Sequence, residues 1–125
     1  MNAKWLILPV LLIVAVLFDA CETEDGIVCT LEFRTIGVTV IGEALTDHYT
    51  IRIANNDTIR PQDFGFDDDY YVILDDGYQS NFAGTQESFQ FIGEIDDSVV
   101  IRENYVIVAD QCHISKVSGL SQITL

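Results

Sequence analysis

The sequence predicts an all-β fold, an antiparallel β-sandwich of six to seven strands, and three observations carry that expectation. Apolar residues recur with a period of two through most of the chain after residue 27. No stretch there carries the i, i+3, i+4 spacing of an amphipathic helix. Clusters of Asn, Asp and Gly break the alternating runs at intervals suited to turns. A length of 125 residues allows one such domain.

The strands follow in order. Cys29, Leu31 and Phe33 share one parity and Ile36, Val38 and Val40 the other, so the first strand needs a bulge or twist near Thr35. Tyr49, Ile51 and Ile53 alternate with Thr50 and Arg52 until Asn55-Asn56-Asp57 turns the chain. Tyr70 to Leu74 is a β-branched and aromatic run closed by Asp75-Asp76-Gly77. Phe89, Phe91 and Ile95 alternate with Gln90 and Glu94 as far as Asp96-Asp97. Val99, Ile101, Tyr105 and Ile107 keep one parity through a long strand, and Cys112 with Ile114 opens the last.

The front of the chain is of a different kind. Met1-Asn2-Ala3-Lys4 carries one positive side chain, and Trp5 to Phe18 is fourteen residues without a charge. A bilayer span takes about 20 apolar residues, so this run is short for a permanent helix and suits the apolar region of a cleaved signal helix. Ala20-Cys21 resembles a bacterial lipobox, which implies cleavage before Cys21 and lipidation of that cysteine. Phe18 and Asp19 depart from the usual Leu and small residue at their places. The alternative is an ordinary signal peptide with Cys21 a spare thiol. Glu22-Thr23-Glu24-Asp25-Gly26 is too hydrophilic to pack and reads as a flexible acidic tether. An acidic tract in that place also resembles the signal that sends lipoproteins to the outer face of the outer membrane. The chain thus divides into a signal peptide (1–20), a tether (21–26) and a sandwich domain (27–125).

Twenty acidic against six basic residues give a net charge of −14. Removing residues 1–20 removes Lys4 and Asp19, which leaves 19 against 5 and the same −14. That balance excludes nucleic acid and anionic headgroups as partners of the mature surface, because both need clustered Lys and Arg.

Cys29 and Cys112 fall one on each of the first and last predicted strands, each with apolar neighbours of the same parity, and so are expected to face inward. In an oxidising envelope they are expected to pair, with two buried free thiols the alternative.

Four segments, Phe33–Val40, Tyr71–Gln79, Phe91-Ile92-Gly93 and Ala109–Gly119, resemble a family of small bacterial envelope lipoproteins. Their domain is similar to the carboxypeptidase-regulatory, or transthyretin-like, β-sandwich. The resemblance covers about residues 28–119 and implies fold and address; it brings no activity with it.

Catalytic signatures are absent from the sequence. Cys112 and His113 are adjacent, but neighbours on a strand point to opposite faces and cannot form a nucleophile–base pair. His48 stands in an Asp-His-Tyr context at a strand start and reads as a surface histidine. There is no Gly-x-Ser-x-Gly elbow, paired-histidine zinc motif or Gly-rich phosphate loop. No catalytic residue and no required cofactor are expected. The acidic clusters Asp67-Asp68-Asp69 and Asp75-Asp76 are candidate calcium ligands, with exposed, solvated turns as the simpler expectation. Phe64, Phe66, Tyr70, Tyr71 and Tyr78 could form a ligand platform beside them or lie in the core. Thr58 and Ser98 sit in Asp-Thr-Ile and Asp-Ser-Val tripeptides that resemble a bacterial O-glycosylation motif.

The expected function is that of a lipid-anchored, non-catalytic interaction or structural module at the bacterial outer envelope, held to the membrane by its lipid and facing an envelope protein or glycan. The alternative is a ligand-binding module that takes calcium or glycan through its acidic and aromatic loops.

Overall fold

A computed structural model describes residues 26–125. The signal peptide, Cys21 and most of the acidic tether lie outside them. Among the described residues no helix is long and apolar enough to cross a membrane.

The domain is a two-sheet β-sandwich. Its strands are β1 (Thr35–Ile41), β2 (Asp47–Arg52), β3 (Asp57–Ile59), β4 (Tyr70–Asp75), β5 (Gln86–Ile95), β6 (Ser98–Ala109), β7 (Ile114–Ser118) and β8 (Gln122–Thr124), with a 3₁₀ helix at Asp76–Asn81. One sheet has the order β4-β1-β8 and the other β3-β2-β5-β6-β7. All pairings are antiparallel except β1 with β8, which is parallel. The count exceeds the six to seven predicted because β3 and β8 are three residues each, too short to show an alternation.

The core lies between the sheets. Val38, Ile73, Leu74, Phe89, Phe91, Tyr105 and Ile107 are wholly removed from solvent. Bulges set the faces. Gly37 pairs with Val72 and Ile36 with Leu74, so Ile73 is an extra residue on β4, and both Ile73 and Leu74 reach the core. On β6, Gly93 pairs with Ile101 and Glu94 with Val99, which leaves Val100 as the extra residue. Val99 and Ile101, of one parity in sequence, therefore part company: Ile101 is buried and Val99 is 39% exposed.

The structure departs from two sequence expectations. Residues 27–33 do not extend the first strand: Leu31 and Phe33 are exposed. The physical reason is the lack of a partner, since β4 ends opposite Thr35 and β8 reaches only Thr39. The faces of β2 are also reversed. Thr50 lies opposite inward-facing Phe91 and is fully buried, while Tyr49 and Ile51 are half-buried on the other side and Ile53 is exposed. Burial of the Thr50 hydroxyl is tolerable because it donates to the Ile73 carbonyl at 2.7 Å. His48 shares the Thr50 parity and packs edge-on against Tyr71, with ring centroids 5.0 Å apart. Arg52, also of that parity, is held by Glu87 through two bonds of 2.7 Å and lies 5.8 Å from the centre of the Tyr78 ring.

At the far end of β6, Tyr105 donates to the Leu120 carbonyl at 2.6 Å. Gly119 lies flat against its ring with φ +129°, leaving no room for a β-carbon.

Candidate functional site

Two places gather side chains with chemistry. The first is a clasp where the chain enters the domain. Cys29 and Cys112 form a disulfide with their Cα atoms 5.3 Å apart. The cysteines lie in the segments before β1 and β7, not inward on the strands as their parity suggested, and Cys29 is exposed. The bridge sets the following residues, Thr30 and His113, side by side. Thr30 Oγ1 is 2.8 Å from His113 Nε2, and His113 Nδ1 is 2.7 Å from Asp76 Oδ2. Asp76 accepts two further bonds, from the Arg34 N–H at 2.7 Å and the Ile114 N–H at 2.9 Å. Asp110 closes the loop below by accepting the N–H groups of Cys112 and His113.

Asp76 is therefore no exposed turn residue: its side chain is 7% exposed and His113's is 9%. Burial by itself pushes the Asp76 carboxyl up, but the Arg34 N–H, the imidazole and the Ile114 N–H outweigh it and hold the group below the usual carboxylate range. The Asp-Asp-Gly tripeptide looks like a solvated turn because its partner lies 37 residues away. The signal that could have found the clasp is the pair Cys29-Thr30 and Cys112-His113, which a disulfide brings together one residue on.

In the tautomer that donates Nδ1–H to the carboxylate, Nε2 is the acceptor for a hydrogen bond from the Thr30 hydroxyl. The order hydroxyl, imidazole, carboxylate is that of hydrolytic triads. Here it ties three segments together: the strand-entry segment through Thr30 and Arg34, the start of the 3₁₀ helix through Asp76, and the entry to β7 through His113 and Ile114. The clefts described below are lined by other residues. Cys112 is held in the disulfide, and both it and His113 precede β7, so the strand-face argument drawn from the sequence does not apply to them.

The second place is the crossover from β3 to β4. Phe33, Phe64 and Phe66 are 54%, 41% and 45% exposed and join half-buried Tyr70 in a continuous row. Successive ring centroids are 5.5, 6.1 and 5.1 Å apart, all edge-to-face. Tyr70 anchors the row by lying over Gly37, where a β-carbon would collide with its ring. A cleft of about 210 Å³ opens beside Phe66 and Tyr70, lined also by His48, Asp63, Asp67, Asp68 and Tyr71. Another of about 380 Å³ lies against Phe66, Asp67, Asp69, Tyr70 and Thr39. Partial burial pushes the His48 imidazole down, outweighing the neighbouring Asp47 charge, so the ring is neutral at neutral pH.

Of the five aromatics predicted near this loop, Phe64 and Phe66 are exposed, Tyr70 and Tyr78 half-buried, and Tyr71 belongs to the core. Asp67, Asp68 and Asp69 are exposed as expected. Asp75 caps the 3₁₀ helix by accepting from the Gly77 N–H at 2.8 Å. The acidic candidates do not converge: among the described residues no three or more His, Cys, Asp or Glu are placed to hold a metal ion. Thr58 on β3 and Ser98 at the start of β6 are both exposed.

No family model, curated protein or solved structure matches this chain.

Proposed function

We propose that the protein is an exported, lipid-anchored β-sandwich that serves as a non-catalytic interaction module at the bacterial outer envelope. The address rests on the sequence: the fourteen-residue apolar run, Ala20-Cys21 and the acidic tether behind it. The disulfide supports it, because Cys29–Cys112 suits an oxidising compartment. It also fixes the chain eight residues beyond Cys21, so a membrane anchor at Cys21 would pull on a cross-linked part of the domain. The observation that carries the interaction role is the aromatic row Phe33–Phe64–Phe66. Three large rings stand in solvent beside a sandwich whose own core is closed without them.

Intact-mass measurement on the membrane fraction of the native host tests the anchoring. A chain beginning at Cys21 and carrying acyl groups is expected, and Cys21→Ser should release the protein from the membrane. A mature chain that starts elsewhere, or carries an unmodified Cys21, overturns the address.

A further inference from the structure

We infer that the aromatic row at the β3–β4 crossover docks a cationic peptide segment, one that presents Lys or Arg side chains to Phe66 and Tyr70. The inference rests on the interaction-module reading and gives its surface a ligand class. The rings supply the first part of the argument. Phe66 and Tyr70 stand between two clefts, and Phe33 and Phe64 continue the row away from them. Ring faces carry negative electrostatic potential and attract ammonium and guanidinium groups.

Charge complementarity supplies the second part. Asp63, Asp67 and Asp68 border one cleft, Asp67 and Asp69 the other, and among the described residues no Lys or Arg lines either. Among the described residues the ion pairs are Arg34–Glu32, Arg52–Glu87, Arg60–Asp47 and His113–Asp76, so these four carboxylates form no ion pair within the described domain. The domain already uses the same chemistry internally, with the Arg60 guanidinium 5.1 Å from the Tyr49 ring centre and bonded to Asp47 at 2.8 Å. An extended row of four rings suits a segment with several side chains better than one small cation, which needs a single enclosed cage. Calcium would want six to eight oxygens converging on a point, and exposed acids spread along a crossover do not supply that.

The test uses the mature, disulfide-bonded protein and a fluorescent peptide of alternating Arg and Gly, followed by anisotropy. A Ser/Gly peptide of equal length and a neutral oligosaccharide serve as comparison probes. Saturable binding of the Arg/Gly peptide is expected, weakened about fivefold or more by Phe66→Ala and retained by Phe66→Tyr. Asp67→Asn with Asp68→Asn should weaken it similarly. Asp96→Asn with Asp97→Asn removes the same charge at the β5–β6 turn, which lines neither cleft, and should change affinity less than about twofold once salt screens long-range terms. Phe66 is exposed and outside the core, so its variants should melt like the parent. Equal weakening by both acidic pairs, or indifference to Phe66→Ala, reduces the effect to bulk charge and overturns the inference. Binding of the oligosaccharide alone, lost in Phe66→Ala, also overturns it while leaving the interaction-module reading intact; no binding of any probe, with the anchor confirmed, defeats the cationic ligand but not the address.

Discussion

Replacing Asp76 by Asn should be among the most damaging single changes a surface loop of this domain can suffer. The carboxylate accepts three bonds at 2.7 to 2.9 Å, two of them from backbone N–H groups and one from His113. An amide keeps one accepting oxygen. If that oxygen takes the place of Oδ2, the Ile114 N–H faces an NH₂ group; if it takes Oδ1, both Arg34 and His113 do. Each unsatisfied buried donor costs about 1–3 kcal/mol, so a loss of about 3 kcal/mol is expected. For a domain near 100 residues that lowers Tm by roughly 12–24 °C. Thermal melting of the oxidised protein followed by circular dichroism measures it, with Asp68→Asn, the same substitution at an exposed position, as the comparison. The wild-type protein also has a signed pH dependence. The Asp76 pKa is lower in the folded state than in the unfolded chain, so its contribution is complete above the unfolded value of about 3.9 and lost as pH falls through the folded one. Asp76→Asn should therefore flatten the acid limb of stability against pH. A Tm shift under about 4 °C, or an unchanged acid limb, would refute the view that the clasp is a buried, fully satisfied network.

Other outcomes follow from neighbouring contacts. Reduction, or Cys29→Ser with Cys112→Ser, should destabilise the domain by up to about 4–5 kcal/mol, because the bridge closes an 83-residue separation, and chemical denaturation with and without reductant measures it. Gly119→Ala should cost more than about 3 kcal/mol: its β-carbon would collide with the Tyr105 ring at a φ of +129°, and a melt matching wild type would contradict that packing. Tyr105→Phe removes only the 2.6 Å bond to the Leu120 carbonyl and should cost about 1–2 kcal/mol, distinctly less than the glycine change in the same assay.

The sequence by itself determined what depends on local composition and period. Alternation along the middle of β5 and the second half of β6 specified strands and their buried faces, since a period of two places every second side chain on one side, and the β-branched and aromatic run of β4 specified a strand without a face. Asp96-Asp97 was legible as a turn and adopts φ of 49° and 65°, a geometry that suits a tight hairpin. The cysteine pairing was legible too, because only two cysteines remain after Cys21.

The tertiary structure alone decided which partner each segment meets. On β2 the apolar parity predicts Tyr49 and Ile51 inward, yet pairing with β5 turns Thr50 to the core, and a carbonyl on β4 makes that burial possible. Bulges on β4 and β6 shift faces by one residue, a change that depends on the neighbouring strand's register. Phe64 and Phe66 read from the sequence as core or platform and Phe33 as part of the first strand; only the route of the crossover and the lack of a strand partner before β1 leave them in solvent. Asp76 shows the same division most clearly. Beside Asp75 and Gly77 it is one more turn acid, and it becomes the centre of a buried network because the fold brings Arg34, His113 and Ile114 to it from distant parts of the chain. Period and propensity are local properties, whereas burial and hydrogen-bond partnership belong to contacts made across the fold.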